Sequence, residues 1–169
     1  MSDTPINLQY GYDTNTHVQG QIADSRYTDI VTRTVSTNLA AGSVIQPGYP
    51  VTRDADDDMV KVVTAATDVV TGIVRWSDAQ VETYADGTRG YRVRDALPVV
   101  YRGPVWVTVS AAVTQGQLAY ALINGSGNFA ATPGAGTTSR PVGIFETSTT
   151  GAGDAILYVT PGLSAPAAA

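Results

Sequence analysis

Short apolar runs separated by Gly, Pro, Asn and Asp recur along the chain, and none is long enough to make a helix face. The clearest are Val105-Trp106-Val107-Thr108-Val109 and Leu118-Ala119-Tyr120-Ala121-Leu122-Ile123. Alternation puts Val105, Val107 and Val109 on one side of a strand and Trp106 and Thr108 on the other, so one of those sides is core. Asp29 to Val35 is a β-branched run, and Val60 to Val63, Val69 to Trp76, Val142 to Thr147 and Ala155 to Val159 read as further strands. Ala41-Gly42-Ser43 and Pro47-Gly48-Tyr49-Pro50 read as turns, with Pro47 and Pro50 suited to a sheet edge because neither donates a ladder hydrogen bond. Asp86-Gly87 predicts a tight hairpin between Val81 and Val93, with Tyr91 and Val93 on one face and Arg92 and Arg94 on the other. Gly103-Pro104 opens the Val105 strand, Gln115-Gly116 and Asn124-Gly125 bracket the Leu118 strand, and Thr132 to Thr138 is a loop. No amphipathic helix is predicted, and Asp78 to Ala85 holds one turn at most. Val70-Thr71-Gly72-Ile73 echoes Pro141-Val142-Gly143-Ile144, which is too little to define a repeat.

The pattern predicts an all-β fold, a compact β-sandwich or barrel-like domain with an extended N-terminal arm. Met1 to Gly20 has no sustained period and is read as the arm (1–20), followed by one β domain (21–162) and a small-residue tail (163–169). At 169 residues and 17.6 kDa the chain is long enough for a core without disulfides or metals. Hydrophobic residues make up 43% and charged residues 15%, so disorder is excluded and solubility rests on Thr, Ser, Asn and Gln. A net charge of −5 repels phosphate, which argues against nucleic acid and anionic membranes as partners. With no cysteine there is no redox signal. Met1 to Pro5 lacks the features of a secretory signal and no apolar run is long enough to span a bilayer, so a soluble product of the cytosol is expected.

Chemistry is scarce. The chain has one histidine, His17, and one lysine, Lys61. His17 lies in the polar arm with no nucleophile or orienting acid marked beside it, and no Gly-x-Ser-x-Gly elbow or phosphate loop is present. Glu82 and Glu146 carry nothing that pairs them as glycosidase carboxylates. The Asp54 to Asp58 cluster has Met59 and Ala65 where a calcium loop needs Gly and Glu, which leaves a solvated acidic turn. Gly125-Ser126-Gly127-Asn128-Phe129-Ala130 has the letters of a dinucleotide fingerprint, but Thr132-Pro133-Gly134-Ala135-Gly136 cannot continue the helix that would receive a pyrophosphate. No catalytic, cofactor-binding or metal residues are expected, and no small-molecule substrate. Arg89, Arg92, Arg94 and Arg102, with Tyr91 and Tyr101 among them, form the one basic cluster. It is either the wet face of a hairpin or a patch for an acidic protein surface.

Several segments, taken in order, resemble the phage capsid cement (decoration) proteins of the structural cement protein family. They are Val18-Gln19-Gly20-Gln21-Ile22-Ala23-Asp24, Ala65 to Ile73, Gly103-Pro104-Val105-Trp106-Val107, Val113 to Tyr120, Gly127-Asn128-Phe129, Pro141-Val142-Gly143-Ile144-Phe145 and the strand from Gly151 to Val159. The arm before Val18 and the hairpin from Trp76 to Arg94 depart from the family pattern. The resemblance implies a non-enzymatic protein on the outer surface of the virion capsid, made in the host cytoplasm and partnered by the major capsid protein and by itself, as a homotrimer rather than a dimer. Contact candidates are Tyr10, Tyr12, Val18, Gln19, Gly20, Gln21 and Ile22 of the arm and its root, and Arg89, Arg92, Arg94 and Arg102 of the basic face. The competing reading is a carbohydrate-binding β-sandwich of a phage tail or receptor-binding protein, stacking sugars on Trp76, Trp106 or tyrosines.

Overall fold

The computed structural model describes residues 18–40, 42–56, 58–77, 82–83, 87, 89–134, 136–160 and 163. Their strands are β1 (Asp29–Val35), β2 (Pro50–Arg53), β3 (Met59–Val62), β4 (Val70–Val74), β5 (Glu82–Thr83), β6 (Arg89–Gly90), β7 (Ala96–Val109), β8 (Leu118–Leu122), β9 (Phe129–Ala130), β10 (Thr138–Phe145) and β11 (Gly153–Val159). Among the described residues the fold is all-β, apart from a 3-10 turn at Ser25–Tyr27.

β7 organises the rest. At 14 residues it is the longest of these strands. An ordinary strand rise makes it about 46 Å from end to end. Its first half closes a ring in the order β1-β3-β2-β4-β7, back to β1, and its second half closes another in the order β7-β11-β10-β8-β9, back to β7. Each ring is a small barrel-like wall, and closing a sheet on itself removes most of its exposed edges.

A bulge lets one strand serve both rings. Asp29 of β1 stands opposite Arg102 and Ile30 opposite Val100, which leaves Tyr101 as an extra residue. An inserted residue reverses the face on which the following side chains emerge. Leu97 and Val99 accordingly pack in ring one with Val35, Ile45, Val51, Val60, Val74 and Tyr91. Val100, Val105, Val107 and Val109 pack in ring two with Phe129, Phe145 and Leu157. Val63, Val70 and Ile73 join that second cluster from the outside of ring one, so the rings share an apolar wall. They meet again where Gly127 lies on Tyr49, since any Cβ at Gly127 would overlap the tyrosine ring. Burial of the Tyr49 phenol there raises its pKa.

The two rings follow the same path. Val35 runs parallel to Val60 as Val109 runs parallel to Phe129. β2 lies antiparallel between β3 and β4, and β8 lies likewise between β9 and β10. The connecting hydrogen bonds also correspond. The Gly48 amide donates to the Val74 carbonyl at 2.7 Å and Gly116 to Phe145 at 2.8 Å; Val74 donates to Tyr49 and Phe145 to Gln117, both at 2.9 Å. Ser36 donates to Val60 at 2.9 Å and Ser110 to Phe129 at 3.0 Å. Isolated bridges join Ile45 to Tyr91 and Val113 to Thr149. The Gly-Ile echo falls on equivalent strands, where Gly72 and Gly143 bring β4 and β10 so close to β7 and β11 that a Cβ would strike the Val100 and Tyr158 carbonyl oxygens. The faint sequence signal therefore marks a true structural repeat.

Other differences from the sequence expectation have local causes. The strand expected at Val105 begins at Ala96, because Pro98 and Pro104 sit where no amide is needed and their carbonyls accept from Arg75 at 2.8 Å and Ala23 at 3.0 Å. Pro50 opens β2, an interior strand of ring one. The first strand position tolerates proline, so the expectation of an edge there is corrected. The hairpin after Trp76 forms as β5 against β6, with five residues separating the two strands where a two-residue turn was expected. Tyr91 is buried and Arg92 and Arg94 are exposed, as alternation suggested, although residues 92–95 form a turn.

Gly103 carries the junction. Its φ is 122°, and a Cβ there would lie 2.7 Å from the Tyr27 carbonyl oxygen and 2.8 Å from Thr28 Cα. Such a backbone conformation suits glycine alone. Gly103→Val is expected to lower stability by about 1–3 kcal/mol or more, in the range for a residue forced into a disfavoured conformation. Chemical denaturation read by tryptophan fluorescence checks this; a variant as stable as the parent would remove the junction from its role.

Candidate interaction surface

The root of the arm and the basic hairpin meet at Trp76. The Trp76 amide donates to the Gly20 carbonyl at 2.8 Å, while Gly20 donates to the Trp106 carbonyl at 2.8 Å and Trp106 to Gln21 at 2.9 Å. Val18 to Gln21 is a turn, closed by the Gln21 amide on the Val18 carbonyl at 2.9 Å with Gly20 at φ 82°. Glycine is the residue that takes such a turn position without strain. Val18 and Gln21 are exposed, Gln19 and Ile22 half-buried and Gly20 buried, so this part of the expected arm is fixed to the body. Tyr10 and Tyr12 lie outside the described residues, as does His17. Over the Trp76 ring, 5.3 Å from its centre, stands the Arg89 guanidinium, whose Nε donates to Thr83 Oγ1 at 3.1 Å. The cation is attracted to the face of the indole.

The structure divides the arginine cluster. Arg92 and Arg94 occupy a turn at the end of β1, where the Arg94 amide donates to the Val35 carbonyl at 3.0 Å and Asp95 Oδ2 accepts from the Arg92 amide at 2.6 Å. Arg94 is the one described non-glycine residue with positive φ, 70°. Arg102 lies at the other end of β1, opposite Asp29. The rise along the strand separates the two ends by about 20 Å. Arg102 shares the bulge with exposed Tyr101, and Tyr27 and Ile30 are exposed beside it. Sequence reasoning grouped Arg102 with the others by proximity in the chain and missed Tyr27 and Ile30; the bulge that creates this second patch leaves no mark in residue type.

Tyr91 anchors the basic hairpin from below. It is 1% exposed, and its hydroxyl donates to the Arg75 carbonyl at 3.5 Å. Burial pushes its pKa up to about 12, with Arg75 pulling weakly the other way. Glu146 follows β10 at the position that Arg75 takes after β4. Its pKa is raised by burial and then by the nearby Asp24. The Gly125 to Ala130 stretch is a hairpin turn into β9, with Gly125 and Gly127 at φ 78° and 71°, and no helix follows it among the described residues. Trp106 is only 5% exposed, so of the two candidate stacking platforms only Trp76 reaches the surface, roofed by Arg89.

A family model described as structural cement protein, with E217 gp24 and Pam3 gp6 as its examples, matches residues 6–160 of this chain. The chain belongs to the structural cement protein family. No match is found among curated proteins. The matched span takes in both rings, the shared strand β7 and the root of the arm. Membership makes this a structural phage protein that associates with the capsid.

The acidic turn of this cement protein is tied to its own body. Asp54 accepts from the Ser36 hydroxyl, from Asn38 Nδ2 at 2.8 Å and pairs with Lys61 Nζ at 3.4 Å; its side chain is 9% exposed. Asp58 pairs with Arg33 at 3.2 Å. Hydrogen bonds from Ser36 and then Asn38 hold the Asp54 carboxyl down to about 2, from an ordinary 3.8. Because the folded value lies below the unfolded one, this stabilisation is present above about pH 4 and is lost as pH falls towards 2. Asp54→Ala is expected to cost about 1.5–3 kcal/mol at neutral pH, as hydrogen bonds to a charged group are lost and the buried Ser36 hydroxyl, which still accepts from the Asn38 amide, loses the acceptor for its proton. It should also flatten the acid limb of stability between about pH 4 and 2. Denaturant midpoints of parent and variant across that range check both, and parallel curves would refute the assignment.

Proposed function

We propose that this cement protein docks on the outer face of the assembled capsid, as a homotrimer in preference to a dimer, and clamps neighbouring major capsid subunits against the pressure of packed DNA without turnover. The observation that carries the reading is the corner where the arm root, Trp76 and Arg89 converge on a double-ring body of a cement family member. Synthesis in the host cytoplasm, followed by binding to the finished shell, fits a fastener of this kind. A protein that binds the assembled shell but not free subunits stabilises assembly by linkage. A single standard contact of about 800 Å² per partner converts poorly into affinity, whereas an oligomer touching several subunits gains through effective concentration.

Two surfaces share the work in this reading. The arm, with Tyr10 and Tyr12, leads from Val18 towards the seam, where tyrosines supply apolar area with a polar end. Arg89, Arg92 and Arg94 meet acidic capsid surface, and Arg102 acts from the separate bulge patch. Deletion of residues 1–17, which spares the bonded Val18–Ala23 segment, should leave the β-sheet circular dichroism intact and abolish decoration of purified shells; undiminished decoration would remove the arm from the mechanism. Shell binding should also weaken between about 0.05 and 0.5 M salt, with a smaller slope for an Arg89→Ala, Arg92→Ala double variant. Salt-independent binding in a sedimentation assay would assign the contact to apolar groups.

A further inference from the structure

The repeat shows where the protein leaves a backbone edge open. In ring two the second half of β7 has β11 on one side. On the other, beyond the single parallel step at Val109, the arm root runs antiparallel to it: Ile22 bridges Val105, the Pro104 and Trp106 carbonyls accept from Ala23 and Gly20, and the Trp106 amide donates to Gln21. In ring one the equivalent strand is β1. The cross-strand rows Pro50-Ile73-Val100-Ile30 and Leu118-Ile144-Tyr158-Pro104 correspond, so Ile30 stands where Pro104 stands and Thr32 where Trp106 stands. There β3 reaches only Thr34 and Val35, and among the described residues nothing takes the place of the arm root.

Alternation along β1 fixes the direction of the open groups. Val35 exchanges hydrogen bonds with Arg94 and Asp95 at the start of β7, while the Thr34 amide donates to Asp58 on the β3 side at 2.9 Å. Ile30 and Thr32 share the parity of Thr34, so their amides and carbonyls face away from β7. Pro98, which has no amide to give, accordingly stands opposite Thr32 and offers its carbonyl to Arg75 on its other side. Ile30 and Thr32 are exposed, and on the outward side they have no backbone partner among the described residues. An open edge of this kind is a template for another strand.

We propose that the free edge of β1 is a docking site for β1 of a second copy, paired antiparallel about a two-fold axis at Val31. The antiparallel direction is the one the arm root takes on the equivalent strand of ring two. Ile30 of each copy then exchanges both backbone hydrogen bonds with Thr32 of the other, so every open group of the edge is used. The same register sets Asp29 opposite Arg33 of the second copy, on the side of the strand that carries Val31. Asp29 already faces Arg102 across its own ladder, and Arg33 pairs with Asp58 at 3.2 Å. Charges of alternating sign therefore run from Arg102 through Asp29 and the second copy's Arg33 to its Asp58, and opposite charges in facing positions fix the register. A shift of the axis to Ile30 sets Asp29 against Val31 and leaves Thr32 open. A shift to Thr32 calls on Thr34, whose amide is already given to Asp58. The edge is thus complementary to itself in one register alone.

Such a contact is isologous and joins two copies; among trimers it links one to the next. It needs no shell, so its failure is distinguishable from a failure of capsid binding. The chain has no cysteine, and a single Val31→Cys substitution puts a thiol at the axis. Facing residues of a pair without hydrogen bonds between them have Cα atoms about 4.5 Å apart, within the span of a disulfide. Mild oxidation of the free full-length protein should link Val31→Cys into dimers at least about tenfold faster than Val69→Cys, although Val69 is the more exposed residue. Adding Thr32→Pro removes an outward amide and no ladder bond to β7, and should lower the rate to that of Val69→Cys. Unchanged amide exchange at Val74 and Phe145, which donate inside the rings, shows that each variant keeps its fold. In the parent protein at millimolar concentration the Ile30 and Thr32 amides should be protected from exchange. Linking of Val31→Cys no faster than Val69→Cys, or rapid exchange at both amides, would overturn the proposal. So would faster linking of Ile30→Cys than of Val31→Cys, because the two copies of Ile30 lie on a diagonal about 7–8 Å apart.

Discussion

The backbone pairing of β7 is the constraint on which the molecule depends. A sheet edge left open in water invites association with any other strand, and a ring answers this by making the last strand pair with the first. Here one strand closes two rings, so the extra residue at Tyr101 and the glycine at 103 are structural necessities. Without a reversal of face, Val105, Val107 and Val109 would emerge on the side of Leu97 and Val99, and a single strand could not feed two cores lying on opposite sides of it.

Sharing a strand also ties the two cores together. Val100 lies on β7 next to Val99, yet the two residues belong to different clusters, and Ile73 and Val70 extend the second cluster through the wall of the first. Loss of one ring therefore exposes apolar wall of the other. The Trp76 corner shares in that coupling, because its hydrogen bonds run through Gly20 and Trp106 into β7 and from there to both cores.

Strand existence was legible in the sequence wherever a short apolar or β-branched run lay between turn residues, as at Asp29–Val35, Leu118–Leu122 and Ala155–Val159. β9 and β2 were hidden for different reasons. Phe129–Ala130 is too short to carry a period, and Pro50 reads as punctuation, although the first position of a strand does not need its amide. The prolines at 98 and 104 concealed the length of β7 in the same way. The repeat was nearly invisible because what the rings share is backbone path: Gly48 matches Gly116 and Gly72 matches Gly143, while the side chains around them differ in size and kind. At the candidate surface, the basic hairpin and the Val18–Ile22 segment were recognised separately, and only the fold shows that Trp76 joins them and that Arg102 belongs elsewhere.

The repeat also explains where the rings differ. Ring two has a short crossing from β10 to β11, whereas ring one inserts the β5–β6 hairpin between β4 and β7. The insertion places Arg89 over Trp76 and sets Arg92 and Arg94 on the turn that leads into β7. Three of the exposed arginines, Arg89, Arg92 and Arg94, thus lie on the part of ring one with no counterpart in ring two. Closure of the rings demands the common path, and the departures from it are free to carry recognition. In a chain of net charge −5, three arginines on one inserted segment set a local positive field against the sign of the whole, and an asymmetry of that kind orients any charged surface that approaches.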